Sequence, residues 1–173
     1  MLNVAPRELR TARLVLTPLS VADAPVMAGV LADPALSTYT GGGPPTVEDL
    51  TRRYEAQVAG SGSDAELWHN WILRLTDGGS AIGFVQATVV GDEADVAWVV
   101  GVEWQGAGFA KEAVAAMNGW LIAAGVQRLV AHIHPDHLAS QGVAASAGLV
   151  RTGGIDEEGE EIWRWRLSPS RDR

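Results

Sequence analysis

Just past the middle of the chain, Gln105-Gly106-Ala107-Gly108-Phe109-Ala110 lies between an apolar, strand-like run, Val96 to Val102, and a long amphipathic helical pattern beginning near Ala107. A glycine-rich turn that leads from a strand into a helix can cradle a phosphate. The helix start offers unpaired N–H groups and a partial positive charge, and small residues let the backbone approach the anion. Spacing excludes two phosphate motifs. In the P-loop pattern Gly-x-x-x-x-Gly-Lys-Ser/Thr a glycine precedes the lysine and a hydroxyl follows it, but Lys111 is flanked by Ala110 and Glu112. In the dinucleotide fingerprint Gly-x-Gly-x-x-Gly, Lys111 occupies the third glycine position, and no βαβ unit surrounds it. What remains is Gln-x-x-Gly-x-Ala.

Residues able to move protons cluster downstream. His132 and His134, two apart on a predicted strand, share a face and carry side chains that titrate near neutrality. Asp156, Glu157, Glu158 and Glu160 crowd one turn, where such carboxylates are usually solvated. His132-x-His134-x-x-His137 has the residue types of a metal site. A hydrolytic zinc site would also need a carboxylate base and an open position, and Pro135-Asp136 reads more simply as the turn into a helix, so no metal is expected.

The elements that must position these groups follow from periodicity and punctuation. Ala12 to Pro18 alternates as a strand, and Ser20-x-x-Asp23 caps a helix to about Ala32, in which Pro25 fits only if the helix begins late. Gly41-Gly42-Gly43-Pro44-Pro45 breaks the chain as a plain connector or a mobile substrate loop, and Thr46-x-x-Asp49 opens a helix to about Ala59. Leu67 to Leu75, Ala81 to Val90 and Ala94 to Val102 form a meander with turns at Thr76 to Ser80 and Gly91 to Glu93. The helix from Ala107 to Ala124 puts Ala110, Ala113, Val114, Met117, Leu121 and Ala124 on one stripe. A strand from Arg128 to His134, a short helix, and strands Leu149 to Gly153 and Glu161 to Leu167 complete the chain. Trp163 and Trp165 point to one face of the last strand, Arg164 and Arg166 to the other.

The 173 residues fit one domain, 1–173, with one core. A formal charge of -8 and a pI near 4.9 argue against a nucleic-acid partner and mildly favour a cationic substrate. The absence of cysteine removes disulfides, thiolate zinc sites and cysteine nucleophiles. Met1 to Arg10 lacks the apolar core of a signal peptide and no run is long enough to span a bilayer, so the chain is expected in the cytoplasm with no membrane partner.

Gln105-x-x-Gly108-x-Ala110 resembles the acetyl-coenzyme A signature of GNAT-type N-acetyltransferases. Strand 128–134, Pro135-Asp136-His137-Leu138-Ala139-Ser140, a helix and Gly148-Leu149 resemble the second half of that coenzyme site, and the likeness extends from Leu9 to Leu167. Leu9-Arg10-Thr11-Ala12-Arg13-Leu14 and Ala94 to Val100 are most similar to the branch of ribosomal-protein N-terminal acetyltransferases. The resemblance implies a mixed α/β fold: a mostly antiparallel sheet, splayed where coenzyme enters, with two helices on one side and the long helix on the other. It also implies acetyl transfer from acetyl-coenzyme A, as co-substrate, to an amine on a small molecule or a protein N-terminus. A homodimer stays open.

Three tasks follow from that chemistry. Holding the coenzyme would fall to Gln105 and the N–H groups of Gly106, Ala107, Gly108, Phe109, Ala110 and Lys111, with the backbone of Val100, Gly101 and Val102 pairing with the pantetheine arm. A glycine within a strand, as at Gly101, often marks a bulge or a close approach. Deprotonating the amine would fall to Asp95, which aligns with a family glutamate, to His132, or to the acidic turn. Easing the departure of the thiolate would fall to Ser140, because Ala144 stands where many members have a tyrosine, while His137 replaces the usual asparagine. Those two departures favour the runner-up, a noncatalytic coenzyme A-binding or sensing module. Trp68, Trp71 and Trp98 either line an acceptor pocket or pack in the core, the simpler reading.

Overall fold

The computed structural model describes residues 4–168. Its eight strands are β1 Leu9–Arg10, β2 Leu14–Pro18, β3 Glu66–Leu75, β4 Ala81–Val90, β5 Glu93–Val100, β6 Arg128–Ile133, β7 Val150–Ile155 and β8 Glu161–Arg166. They form one sheet in the order β1-β2-β3-β4-β5-β6-β8-β7. Only β5 and β6 run parallel, joined by a helical crossover as parallel neighbours require. The fold is the expected mixed α/β arrangement.

β5 and β6 pair only from Glu93 to Asp95 against Arg128 to Val130, and then separate. Beyond that point β5 stays paired with β4 as far as Val100, while β6 follows β8 to Ile133. The sheet therefore splits down its middle.

Strand alternation divides the core in two. Ala94, Val96, Leu129, Ala131 and Ile133 pack with Val114, Met117 and Leu121 of α3 (Phe109–Ala123) and Val143 and Ala144 of α4 (Leu138–Ser146). On the opposite face Ile72, Phe84 and Val99 lie with Met27 of α1 (Ala24–Val30) and Leu50 and Tyr54 of α2 (Val47–Ala59). Each buried side chain of this size contributes about 1.5–3 kcal/mol. Among the described residues no helix is long and apolar enough to cross a membrane.

Local chemistry sets the helix boundaries. Ser20 and Asp23 form a capping box, but around a short 3-10 turn, and α1 starts only at Ala24, with Pro25 in its first turn. Thr46 and Asp49 cap α2 reciprocally. α3 begins at Phe109 rather than Ala107, because Gly108 is left-handed, with φ of 84°. Trp71 belongs to the α3 core and also borders the recess beside Tyr54, Trp98 packs against that core, and alternation puts Trp68 on the α1/α2 face.

One core residue makes stability depend on pH. His69 is 4% exposed, lies edge-on to Trp120 with centroids 5.2 Å apart, and neither ring nitrogen has a partner. Burial pushes its pKa down, so it stays neutral in the fold and takes up a proton on unfolding. Its contribution to stability is present above the unfolded-state value of about 6.5 and is lost as pH falls below it, by up to about 1.4 kcal/mol per pH unit. Denaturant unfolding at pH 7.5 and pH 5.5 should show a steeper loss for the parent chain than for His69→Leu. Equal slopes would mean that His69 titrates alike in the folded and unfolded chain.

Candidate functional site

The segment between β5 and α3 turns twice on glycines of positive φ, Gly106 at 80° and Gly108 at 84°. Gln105 folds back, its Nε2 donating to the carbonyl of Val100 at 2.9 Å. After Gln105, whose N–H donates to Val102 at 3.3 Å, the next N–H to find an acceptor is that of Glu112, bonded to Gly108 at 3.1 Å; among the described residues those of Gly106 to Lys111 donate to none. Six donors and the positive end of α3 are thus left unpaired at a largely exposed loop.

Residues from the start of the chain hold that loop. Arg13 donates through Nη1 to the carbonyl of Ala107 at 2.9 Å and through Nε to Glu112 at 3.0 Å, and its guanidinium lies 4.2 Å from the centre of the Phe109 ring. Thr11 donates to the same carboxylate at 2.6 Å. Desolvation opposes ionisation of Glu112, but these bonds outweigh it and hold the carboxyl below its ordinary value. A carboxylate in the first turn would repel a bound anion, and Arg13 neutralises it. Arg13 and Glu112 carry no positional role at the sequence level; their juxtaposition spans 99 residues.

The strand continuing into this loop ends at Val100, and Val102 begins a 3-10 turn, Val102–Trp104. The strand expected to run to Val102 therefore stops two residues sooner. The Gly101 N–H donates to Ile82 in β4 at 2.7 Å, so strand alternation turns the backbone of Val96, Trp98 and Val100 toward the split. Gly101 is a close approach rather than a bulge: a Cβ there would lie 2.8 Å from the Trp104 ring.

Across the α1/α2 face, Trp68, Thr88, Asp95, Val130 and Arg164 are successive cross-strand partners. One step further along, Asn70, Gln86 and Ala97 lie on one side of the split and His132 on the other. A recess lined by Tyr54, Gln57, Asn70 and Gln86 continues this polar row toward α2. His132 bridges two carboxylates: its Nε2 is 3.3 Å from Asp95 and its Nδ1 is 2.8 Å from Asp156 in the β7–β8 turn. Desolvation raises the pKa of Asp95, against the opposing charge of His132. Backbone hydrogen bonds, chiefly from Glu160, hold Asp156 below the usual carboxylate range.

The turn from β6 into α4 carries the remaining candidates. His137 is the N-cap of α4, its Nδ1 accepting from the N–H of Ser140 at 3.2 Å, as an asparagine oxygen would. Burial, reinforced by His134, lowers its pKa and favours this neutral capping form. Ser140 is half-buried in the first turn. Tyr39, from the segment before Gly41, stacks on this turn with its ring 4.5 Å from His137 and 5.0 Å from His134. Tyr39 brings a second hydroxyl-bearing side chain to the turn that carries Ser140, and nothing in the local pattern around it signals the contact.

Comparison with known proteins gives one family, described as "Acetyltransferase (GNAT) domain", matching residues 13–150. No curated protein matches the chain. Among solved structures, the ribosomal-protein-S5-alanine acetyltransferase from Vibrio fischeri superposes with a TM-score of 0.76 at 16% identity, over 93% of this chain and 97% of that one. An acetyltransferase from Agrobacterium tumefaciens str. C58 superposes at 0.73 with 24% identity, over 96% and 98%. The microcin C7 self-immunity acetyltransferase, in complex with acetyl-CoA and AMP, superposes at 0.75 with 14% identity, over 91% and 94%.

Proposed function

Because the chain belongs to the GNAT acetyltransferase family, we propose that this acyltransferase moves the acetyl group of acetyl-coenzyme A to a primary amine, whether on a small molecule or at a protein N-terminus. The contact between Asp95 and His132 at the split, on the strand that leads into six unpaired backbone donors, carries this reading. The thioester supplies the acyl group and a good leaving thiolate. The N–H groups of Gly106 to Lys111 would hold the pyrophosphate, and the split-facing backbone of Trp98 and Val100 would pair with the pantetheine arm. The microcin self-immunity enzyme of the same fold was solved with acetyl-CoA, which supports the same co-substrate here.

An alkyl ammonium with a pKa of about 10 is only about 0.1% free amine at neutral pH, so the site must remove a proton. Asp95 and the Nε2 of His132 face the split together and would receive it. The freed lone pair attacks the carbonyl carbon, the C–N bond forms and the C–S bond breaks. Ser140 would donate a hydrogen bond to the sulfur as it gains charge. The acceptor would lie over Thr88, Gln86 and Ala97, reaching toward the recess beside Tyr54.

Acetyl-coenzyme A at about 100 times its dissociation constant should add about 2.7 kcal/mol to stability, or several degrees in Tm. Calorimetry with a thermal-shift series checks binding, and an amine panel scored by thiol release checks turnover. No binding at millimolar coenzyme would overturn the assignment. Binding without transfer to any amine would point instead to a noncatalytic coenzyme module.

A further inference from the structure

We propose that Asp156 is a positioning residue for this reaction: from the β7–β8 turn it fixes the imidazole of His132 with hydrogen on Nδ1, leaving Nε2 as the proton-accepting atom turned toward Asp95 and the split. The inference rests on the acetyl-transfer reading above. Asp156 lies beyond the stretch matched to the family, so its role comes from geometry alone.

The two carboxylates flanking His132 are held differently. Oδ1 of Asp156 accepts from the N–H groups of Glu158 at 2.9 Å and Glu160 at 2.8 Å, while its own N–H donates to the Glu160 carbonyl at 2.9 Å. Its side chain is 14% exposed, against 52% for Asp95. Asp156 is therefore a fixed anion, and an ionised carboxylate can only accept. The hydrogen in its 2.8 Å contact with His132 must come from Nδ1. In the neutral ring Nε2 is then the acceptor, 3.3 Å from Asp95. Asp95, by contrast, has no such backbone donors among the described residues and meets the ring only at Nε2.

The surroundings suit a cation arriving at Nε2. Facing or flanking the ring are Asp95 and Glu93 of β5, Asp156, Glu158 and Glu160 of the turn, His134 and Arg128 on its own strand, and Arg164 of β8; Arg128 and Arg164 lie 3.6 Å and 4.0 Å from Glu93. The balance is negative, which would draw an ammonium group to Asp95 and Nε2.

Asp156→Asn tests the assignment without dismantling the turn. The N–H groups of Glu158 and Glu160 must still be met by an oxygen, which turns the new amide nitrogen toward His132. That nitrogen donates to Nδ1 and forces the ring hydrogen onto Nε2, the wrong atom for accepting a proton. Turnover should fall by about tenfold to a hundredfold with coenzyme affinity unchanged. The acid limb of the pH–rate profile should move to lower pH, because a negative charge beside the ring is gone, and Asp156→Glu should recover part of the rate. Imidazole ¹⁵N NMR, at a pH where the ring is neutral, should show Nδ1–H in the parent and Nε2–H in Asp156→Asn. The same tautomer in both proteins, or unchanged turnover and pH profile in the variant, would overturn the proposal. The NMR signals are read without an acceptor. Failure of the parent to acetylate any amine would therefore strike the functional reading, separately from this one.

Discussion

His132→Gln should turn over roughly 10² to 10⁴ times more slowly than the parent at neutral pH while binding acetyl-coenzyme A equally well. Glutamine can still donate to Asp156 and keep the turn in place, but it cannot take a proton in this pH range. The deficit should shrink as pH rises and the acceptor supplies its own free amine. Asp95→Asn should follow the same pattern, because Asp95 shares the split-facing side of the ring at 3.3 Å. Steady-state kinetics from pH 6 to pH 9 with calorimetric coenzyme affinities decides the matter. Parent-like rates in both variants would remove the pair from the proton path and leave solvent or the acidic turn as the acceptor.

The parts of this site legible in the sequence are those encoded by residue types at short, fixed spacing. Two glycines ahead of an apolar helix face marked the cradle, and Gly106 and Gly108 do take the positive φ that such a turn needs. Period-two alternation put His132 and His134 on one face and predicted the meander before it. What pattern could not give is contact across long separations. Arg13 meets Glu112, and Asp156 meets His132 through a turn whose acidic run looks solvated in sequence. Tyr39 reaches His137 from a segment with no periodic pattern of its own. Boundaries slipped where backbone geometry overrode hydrophobicity: Val102 is apolar enough to prolong a strand, but it begins the 3-10 turn that brings Gln105 back to Val100. Trp71 and Trp98 differ from Trp68 only in parity along their strands, and a register is needed before parity decides which face a side chain joins.

Gly108→Val should weaken acetyl-coenzyme A binding by at least about a hundredfold in a chain that still folds. Gly108 is the N-cap of α3 and sits at φ 84°, where a β-branched residue is strained by about 1–3 kcal/mol. A Cβ built there would meet Nη2 of Arg13 at 3.5 Å, an ordinary contact, so strain rather than a collision of that first carbon drives the effect. To relieve it the loop must rotate Gly108 out of the left-handed region. That motion reorients the unpaired N–H groups around Gly108 and pulls the Ala107 carbonyl from Arg13. Several charge-assisted bonds to the pyrophosphate would be lost together, each worth about 1.5–3 kcal/mol, which is why the expected loss exceeds that of any single side chain. Gly108→Ala separates the two contributions, since alanine meets the φ penalty in milder form and adds no branched methyls, and it should lose no more than about tenfold. Calorimetric titration of both variants, with circular dichroism and melting curves to establish that each is folded, provides the comparison. Parent-like affinity in folded Gly108→Val would mean that the coenzyme phosphates are held elsewhere than at the start of α3.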